Sequence, residues 1–384
     1  MSTTSDEAPR IALFVADLEG GGAQRKMVTL ANAFAERGYP VDLAAAEASG
    51  VLLDQLGPGV RLLPMAGAWA RAPWFRAKKR RRVLSCAPRL ARYLRREQPA
   101  VLMSTSHSVN VTASVAAWLA RAPTRLVLRI DSLLSRSPEL AGTRGQKRRL
   151  RRARRFFARA DRIIAISRGV GEDLLEQIEF PRERLTAIHN PIQLVDLEKN
   201  ALKPHPHLWL TSPVPPVVLS VGRLVEQKDF PTLLRAFARV RAQMDARLLI
   251  LGEGVLRDEL TELIRELDLE PDVDLPGFDP NPAAAMARAN VFVLSSAWEG
   301  FGNVIVEAMA CGCPVVSTDC PSGPSEILDG GRFGPLVPVG DDAALASAIL
   351  ATLEQPTPSD LLIERAGDFA VDRVAARYLE VLLS

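Results

Sequence analysis

The sequence contains no run of about 18 apolar residues, the length that a helix needs to cross a bilayer. Its first ten residues are polar and acidic and lack the apolar core of a secretory signal peptide. Cysteine is scarce: no histidine lies at metal-type spacing from Cys86, Cys311, Cys313 or Cys320, and there is no CxxC pair. These absences argue against a membrane-spanning protein and a zinc protein. They predict reduced, structural thiols in a cytosolic protein.

The composition is that of a soluble globular protein, with 47% hydrophobic and 24% charged residues among 384. This length is sufficient for two domains of ordinary size. The net charge of +3 is unevenly distributed. Residues 1–200 carry 34 lysines and arginines against 19 acidic residues, a net charge of +15, whereas residues 201–384 carry −12. The two halves are therefore expected to face different partners.

Strand and helix patterns alternate in two series, which predicts an α/β protein with two parallel sheets. The proline-dense stretch 203–216 between the series is predicted to be a linker. The predicted domains are 1–200 and 201–358, and residues 359–384 are predicted to form a final amphipathic helix over 359–382. The predicted strands are 10–16, 41–46, 100–103, 125–130, 162–166 and 185–188, then 217–221, 247–251, 272–275, 291–294 and 314–317.

A glycine turn between two glutamates carries the strongest chemical signal. Residues 299–307 read Glu-Gly-Phe-Gly-Asn-Val-Ile-Val-Glu and follow a predicted buried strand. The turn precedes a helix, whose first backbone N–H groups can bind an anion. Glu307 lies one turn beyond Asn303 among apolar neighbours, where a carboxylate needs hydrogen-bond donors such as the hydroxyls of a ribose. A solvent-facing or capping glutamate is the alternative for Glu307 alone, and the glycine turn with Glu299 favours the binding site.

Three further strand ends in the second half combine glycine with a polar, cationic or aromatic residue. Ligands of open parallel sheets bind beyond the carboxyl ends of the strands, so these ends predict one binding site. Two of the residues are cations that suit a diphosphate. Without the other strand ends, they would be interpreted as ordinary surface cations. The residues are Gly222 with Arg223 and Lys228, Gly252 to Gly254, and Gly277 with Phe278.

The first half has a weaker glycine signal. Gly20, Gly21 and Gly22 follow the first predicted strand without a GxGxxG pattern. A flexible turn and a close backbone approach to a phosphate or sugar are equally supported by this motif alone.

These segments together resemble the retaining GT-B glycosyltransferases of family 4, the group 1 transferases, over nearly the whole chain. Residues 299–307 are similar to the E-x7-E signature of that family, and 220–223 with Lys228 to its diphosphate-binding element. The resemblance implies two Rossmann-like, doubly wound parallel-sheet domains that face a cleft, with a C-terminal helix crossing back to the N-terminal domain. Other similar segments are the glycine loop 20–24, the hinge 189–192, and the region 321–328 with 334–337 that closes the donor pocket.

The resemblance also implies roles for individual residues. It implies transfer of a hexose or N-acetylhexosamine from a UDP- or GDP-linked sugar, with His107 and Glu299 as catalytic residues. From their position at the end of a predicted strand of the first half, rather than from the resemblance, Arg129 and Asp131 are expected on the acceptor side. No Asp-x-Asp metal motif stands at the strand ends named above, so we expect metal-independent transfer with the nucleotide sugar as co-substrate and no cofactor. The donor-binding residues would be Gly21, Gly22, Arg223, Lys228, Gly277, Phe278, Gly300, Phe301, Gly302, Asn303 and Glu307.

Two basic clusters mark the N-terminal half. The first runs from Arg76 to Arg96, and the second, from Arg144 to Arg162, contains ten lysines and arginines. A solvated helix face is the alternative for either cluster, whereas two clusters with aromatic neighbours favour docking on anionic lipid. We therefore expect a cytoplasmic protein bound peripherally to the inner face of the cell membrane, with a glycan or lipid-linked acceptor such as a polyprenyl-diphosphate-linked sugar. The aromatic neighbours are Trp69, Trp74, Phe75, Phe156 and Phe157.

Three other functions stay open at this point. A nucleic-acid-binding protein would use the same arginines, but the second half is acidic and no specific nucleic-acid motif is present. A GT-B-fold nucleotide-sugar epimerase would need a histidine and carboxylate set for proton abstraction or water attack, whereas the E-x7-E element favours transfer. A non-catalytic relative is disfavoured because all of the motif residues are present.

Overall fold

Two separate parallel β-sheets organise the chain in the structure, a computed structural model that describes residues 8–66, 79–136, 150–151, 153–211 and 215–384. Each sheet belongs to its own compact unit. The first unit comprises Met1–Pro191 and Val371–Ser384, and the second comprises Ile192–Ala370. The predicted α/β class with two doubly wound parallel sheets is confirmed.

The first sheet has the order β3-β2-β1-β4-β5-β6-β7, with every described pair parallel. Every residue of β1 and β2 is buried, as expected where helices cover both sides of a sheet. β1 is wholly apolar, whereas β2 contains the buried Asp42, whose carboxylate pairs with Arg61 at 2.7 Å. The order reverses at β1, whose neighbours are β2 and β4, and such a switch point is where α/β sheets bind ligands. The strands are β1 (Ile11–Val15), β2 (Val41–Ala45), β3 (Val60–Pro64), β4 (Val101–Thr105), β5 (Arg125–Ile130), β6 (Arg162–Ala165) and β7 (Leu185–Ala187).

Helices form the crossovers that parallel neighbouring strands require. Their buried faces carry apolar residues that pack on the sheet, such as Met27, Leu30 and Phe34 of the first helix. The helices are α1 (Gly22–Glu36), α2 (Lys79–Ser85), α3 (Ala87–Glu97), α4 (His107–Ala120) and α5 (Arg168–Gln177).

The second sheet has the order β10-β9-β8-β11-β12-β13 and is also parallel. Its strands are β8 (Val217–Val221), β9 (Arg247–Leu251), β10 (Val273–Gly277), β11 (Val291–Leu294), β12 (Val315–Thr318) and β13 (Leu336–Val337). Its helices are α6 (Leu194–Ala201), α7 (Phe230–Arg241), α8 (Arg257–Glu266), α9 (Pro282–Met286), α10 (Asn303–Ala310), α11 (Pro324–Ile327), α12 (Asp342–Glu354) and α13 (Ser359–Ala366).

The C-terminal segment differs from the single helix predicted over 359–382. It forms α13, a short break at 367–370, and α14 (Val371–Leu383). In this break Phe369 is buried and the backbone N–H of Ile192 donates to its carbonyl oxygen at 2.8 Å. α13 packs on α10 within the second unit, whereas α14 belongs to the first unit and packs on α1. Of these two helices, only α14 therefore returns to the first unit, whereas the whole segment was predicted to do so.

The predicted linker is also different in the structure. His205 is 8% exposed, and its Nε2 lies 2.6 Å from Oδ2 of Asp279. His207 forms a similar pair with Asp274 at 3.0 Å. Residues 203–211 therefore belong to the second unit, which begins at Ile192, and do not form the linker that was predicted over 203–216. The segment is not wholly irregular either, since Leu208–Leu210 form one turn of 3-10 helix after the prolines.

Candidate functional site

The glycine loop, residues 299–303, follows β11 and leads into α10. Gly302 is the N-cap residue of α10 and has a φ of +94°, a conformation that favours glycine. Gly323 follows β12 and also has a φ of +94°; a Cβ there would lie 1.9 Å from the carbonyl oxygen of Phe301. The hydroxyl of Ser322 donates to the carbonyl of Gly300 at 2.9 Å. The two loops thus pack backbone against backbone and hold the turn in place.

The start of α10 has the features of an anion site. No side chain caps this helix, and its first turn contains no acidic residue. Such a first turn carries backbone N–H groups and the positive end of the helix dipole. Phe301 is buried and packs edge-on against Phe369 with ring centroids 5.6 Å apart. The side chain of Phe301 is therefore part of the core, and contact of its backbone N–H with the donor stays a prediction.

Glu299 is a buried carboxylate held by several side chains. It is 7% exposed, and the ammonium of Lys228 donates to its Oε1 at 2.6 Å. The hydroxyl of Ser296 donates to the same oxygen at 2.8 Å. The amide of Gln227 donates to the carbonyl of Trp298 at 2.9 Å and approaches Oε2 of Glu299 at 3.5 Å. A buried carboxylate with a cation and these donors has its desolvation offset.

Lys228 reaches Glu299 because the loop after β8 leaves space for its stem. A Cβ on Gly222 would lie 3.1 Å from Cε of Lys228, so glycine at this position accommodates the lysine. The hydroxyl of Ser295 donates to the Lys228 carbonyl at 2.8 Å and ties this loop to the end of β11. The predicted diphosphate cation and the predicted sugar carboxylate therefore form one pair.

Arg223 lies on the same loop as Lys228 but is exposed. Among the described residues, no side chain forms an ion pair or hydrogen bond with its guanidinium group. Its donors remain available to an anion.

The carboxyl ends of β9 and β10 complete this edge of the second sheet. A Cβ on Gly252 would lie 1.9 Å from the carbonyl oxygen of Gly222, and one on Gly254 would lie 2.2 Å from that of Leu224. Gly277 has a φ of +104° and accepts a hydrogen bond from the Gly252 N–H at 2.8 Å. These glycines let three successive loops approach each other closely, as the sequence pattern predicts.

Phe278 directly follows this edge and is 76% exposed. A phenyl ring this exposed at a strand end suits stacking against a planar ligand. Its contact with a nucleobase stays a prediction.

Glu307 is half-buried on α10, one turn after Asn303. Burial raises the pKa of the Cys311 thiol to about 12, and the negative charge of Glu307 adds to this rise. In the same way, burial and then the charge of Glu299 raise the pKa of Cys320 to about 12. Both thiols are therefore protonated near neutral pH, which agrees with a structural role. The described cysteines are all free.

The first unit gathers three predicted residues around one small pocket. His107, Arg129 and Asp131 line it together with Phe157, whose ring centroid lies 5.4 Å from that of His107. Ser106, at the turn between β4 and α4, has a φ of +72°, a strained conformation for serine. Such strain is common at functional sites. The remaining lining residues are Asn110, Ile130, Ser132 and Leu134.

Arg129 and Asp131 differ in what they offer to a ligand. Arg129 is 1% exposed and donates to the hydroxyl oxygens of Tyr378 at 3.0 Å and Thr105 at 3.1 Å. It also donates to Oδ1 of Asn190, so its nitrogens already serve to join β5 with α14 and the 189–192 segment. This gives Arg129 a structural part, and its contact with an acceptor stays a prediction. Asp131 is half-buried and accepts from the hydroxyl of Thr105 at 3.1 Å.

The N-terminal glycines open α1. Gly21 is the N-cap residue, Gly22 is the first residue of the helix, and no side chain caps them. A Cβ on Gly22 would meet nothing within 4 Å, whereas one on Gly21 would lie 2.4 Å from Oε1 of Gln24, a flexible side chain. Packing thus does not require glycine at Gly22, which is consistent with room for a ligand.

The basic clusters are only partly described. Residues 67–78, 137–149 and 152 lie outside the described residues. With them lie Trp69, Trp74 and Phe75, the start of the first cluster (Arg76 and Lys78) and five of the ten cations of the second. Phe157 is 1% exposed, so its predicted place on a docking surface was wrong: it belongs to the core beside His107.

Two absences concern only the residues that the structure describes. None of their helices is long and apolar enough to cross a bilayer. No group of three or more histidine, cysteine or acidic side chains is placed to hold a metal ion. The Asp272-Val-Asp274 sequence at the start of β10 is engaged with other groups, since Asp272 pairs with Arg241 at 2.7 Å and Asp274 with His207. Metal independence stays a prediction.

Comparison with known families agrees with this arrangement. Residues 20–195 match the family model described as Glycosyltransferase Family 4, and residues 215–355 match the model described as Glycosyl transferases group 1. The two models together span most of both units. The chain belongs to the family 4 glycosyltransferases.

Individual relatives extend this result. The chain is 29% identical over 381 residues to the lipopolysaccharide core biosynthesis glycosyltransferase LpsE of Rhizobium meliloti, covering 95% of this chain and 96% of that protein. It is 39% identical over 199 residues to the N-acetylgalactosamine-N,N'-diacetylbacillosaminyl-diphospho-undecaprenol 4-alpha-N-acetylgalactosaminyltransferase of Campylobacter jejuni. The latter match spans about half of either protein, 52% of each.

Solved structures support the GT-B fold. The lipopolysaccharide outer core galactosyltransferase WaaB in its apo form matches with a TM-score of 0.75 and 18% identity, over 97% of this chain and 99% of that one. Anabaena HepE in complex with UDP matches with a TM-score of 0.75 and 22% identity, over 97% and 99%. At this identity the likeness concerns the fold alone.

Two site residues were missed by sequence reasoning. Ser296 and Gln227 both contact Glu299, yet neither lies within a recognisable motif. Their positions offered a signal, because Ser296 follows β11 and Gln227 directly precedes Lys228.

Proposed function

We propose that this chain is a retaining glycosyltransferase that moves a hexose or N-acetylhexosamine from a UDP- or GDP-linked sugar to a membrane-associated, lipid-linked acceptor. The observation that carries the proposal is the Lys228–Glu299 pair beside the uncapped start of α10, with Glu307 one turn further along. A cation, the positive end of a helix dipole and two carboxylates therefore lie at the same edge of the second sheet, which suits a nucleotide diphospho-sugar.

The leaving group determines what the site must supply. Transfer breaks the bond between the anomeric carbon and a phosphate oxygen, so negative charge grows on the departing diphosphate. Arg223, Lys228 and the first turn of α10 would stabilise that charge. This reaction needs no cofactor in our proposal, and it would proceed without a metal ion.

The two carboxylates would take different parts. Glu307 would accept hydrogen bonds from the hydroxyls of the ribose, which explains a carboxylate among apolar helix residues. Glu299 would contact the transferred sugar near its anomeric carbon, with Lys228 and Ser296 holding it in place. The phenyl ring of Phe278 would lie against the base. His107 keeps its predicted catalytic role, with Asp131 nearby in the first unit.

The acceptor is inferred from the relatives and from charge. The name of the Campylobacter enzyme includes diphospho-undecaprenol, and that of the Rhizobium enzyme refers to lipopolysaccharide core biosynthesis. The net charge of +15 on residues 1–200 favours work at an anionic bilayer, where we place the protein on the cytoplasmic face. Surface-glycan synthesis is the function that combines these features.

A thermal-shift screen with UDP, GDP and their sugars tests the donor. A ligand at a hundredfold excess over its Kd stabilises the folded protein by about 2.7 kcal/mol, which raises the melting temperature measurably. The cognate nucleotide should do so and the others should not. The absence of a shift with any nucleotide would contradict the proposed donor. NMR of the product's anomeric signal would then distinguish retention from inversion.

A further inference from the structure

An exposed tryptophan lies among arginines on the first unit. Trp118, in the last turn of α4, is 57% exposed, and Leu119 beside it is 38% exposed. The guanidinium carbon of Arg159 lies 5.6 Å from the centroid of the Trp118 ring and 5.8 Å from that of Phe156. Arg155 lies over the same Phe156 ring at 5.9 Å. An indole this exposed contributes little to core packing, so packing does not explain why a tryptophan occupies this position.

α3 adds a row of cations beside this tryptophan. Arg89, Arg92, Arg95 and Arg96 are exposed at helical spacing, whereas the opposite face of α3 is buried. Arg95 donates to the carbonyl oxygen of Leu119 at 3.2 Å, which fixes the row next to the end of α4. We call the side chains of Arg92, Arg95, Trp118, Leu119, Phe156 and Arg159 the tryptophan–arginine surface.

The chemistry of this surface favours a lipid bilayer over a nucleic acid. Nucleic-acid binding by an aromatic residue uses a free ring face on which a base stacks. On Trp118 the guanidinium group of Arg159 already lies over the ring, in the place that a stacked base would take. A tryptophan with an adjacent leucine, flanked by Arg159 and Arg95, instead matches the headgroup region, where indoles reside and phosphates accept from guanidinium groups.

We propose that the tryptophan–arginine surface docks this protein on an anionic bilayer, with Trp118 and Leu119 among the lipid headgroups and the arginines on their phosphates. The inference rests on the proposed function, because an enzyme with a lipid-linked acceptor must work at the bilayer. It goes beyond that function by naming the docking surface, and Trp118 lies outside both basic clusters of the sequence.

Sedimentation with vesicles tests the surface. The full chain is mixed at low salt with vesicles of equal parts phosphatidylglycerol and phosphatidylcholine, and with vesicles of phosphatidylcholine alone. We expect binding to the anionic vesicles only. Arg92→Ala/Arg159→Ala should weaken this binding about 25-fold, since each cation near such a surface contributes about a factor of five. Trp118→Ala should weaken it about tenfold through lost apolar contact.

Matched variants on the second unit provide the controls. Arg235 and Arg265 are exposed arginines, and Leu361 is 45% exposed. Arg235→Ala/Arg265→Ala and Leu361→Ala should bind anionic vesicles as well as the unaltered chain does. If Trp118→Ala also binds like the unaltered chain, or if the control pair loses as much as Arg92→Ala/Arg159→Ala, the assignment of this surface is wrong.

Nucleotide binding separates this inference from the proposed function. Trp118→Ala and Arg92→Ala/Arg159→Ala should keep the thermal shift produced by the cognate nucleotide, which also shows that they are folded. A chain that binds nucleotide but no anionic vesicle would overturn the docking surface and leave the donor intact. A chain that binds vesicles through Trp118 but no nucleotide would overturn the donor and support the surface.

Discussion

The ammonium of Lys228 lies 2.6 Å from Oε1 of Glu299, and the side chains of both residues are at least 86% buried, with exposures of 14% and 9%. The pair joins the loop after β8 to the glycine loop after β11. It sets the position of a carboxylate that the proposed reaction needs near the sugar. It also leaves a lysine whose other donors can turn to a phosphate.

Breaking this pair from one side should destabilise the second unit. Lys228→Met leaves the Glu299 carboxylate buried without its cation, and we expect a loss of about 3 kcal/mol in the free energy of unfolding. Glu299→Gln should cost less, because Ser296 can still donate to the amide oxygen. Urea denaturation of both variants and of Lys228→Met/Glu299→Gln measures the coupling. The double variant should be more stable than the sum of the single losses predicts; additivity would show that the pair is not coupled.

Substitutions of the two glutamates should affect different quantities, one mainly nucleotide affinity and the other mainly kcat. Glu307→Gln removes a charged acceptor for the ribose hydroxyls, so nucleotide affinity should fall about tenfold or more in calorimetry. Glu299→Gln should leave nucleotide affinity nearly unchanged and lower kcat about 100-fold, since its proposed contact is with the reacting sugar.

The control for this pair is an exposed glutamate on the helix that packs against α10. Glu364 lies on α13, and Glu364→Gln should change neither nucleotide affinity nor kcat. Equal effects of Glu299→Gln and Glu307→Gln on affinity would contradict the division of roles.

Much of this site could be predicted because its signals are local. The strands read as short apolar runs, and the glycine turn with its two glutamates lies within nine residues, so the edge of the second sheet was recognisable from the sequence. The fold class followed from the alternation of strands and helices along the chain.

The parts that could not be predicted depend on contacts between distant residues. Lys228 and Glu299 are 71 positions apart, so their pairing does not appear in any local pattern. His205 and Asp279 are 74 positions apart, and their contact turns a proline-dense stretch into a packed part of the second unit. The break between α13 and α14 likewise depends on the burial of Phe369, since the apolar pattern continues on either side of it.

Gly323 provides a test of the loop packing. In Gly323→Ala the new Cβ would overlap the Phe301 carbonyl oxygen, so the glycine loop must shift. Gly340 has a φ of +78°, and a Cβ there would meet nothing within 4 Å, so Gly340→Ala carries backbone strain without overlap. We expect Gly340→Ala to cost about 1 kcal/mol of stability and to keep nucleotide affinity. Gly323→Ala should cost more and lose nucleotide affinity in calorimetry. Equal affinity in both variants would show that this packing does not shape the site.

Cys311 tests the electrostatics of α10 through thiol reactivity. The thiolate is the reactive form, and a pKa near 12 leaves very little of it at pH 8, so alkylation of Cys311 by iodoacetamide should be slow although the residue is only half-buried. Raising the pH increases the thiolate fraction about tenfold per unit until the pKa is reached, so the rate should keep rising beyond pH 9 instead of levelling off there. Glu307→Gln removes the negative charge that adds to the raised pKa and should speed the reaction at pH 8.

Mass spectrometry of the labelled peptide measures each rate, with the protein in guanidinium chloride as the control that restores ordinary reactivity. A rate at pH 8 equal to that of the unfolded chain, or no effect of Glu307→Gln, would contradict the position inferred for the Glu307 carboxylate.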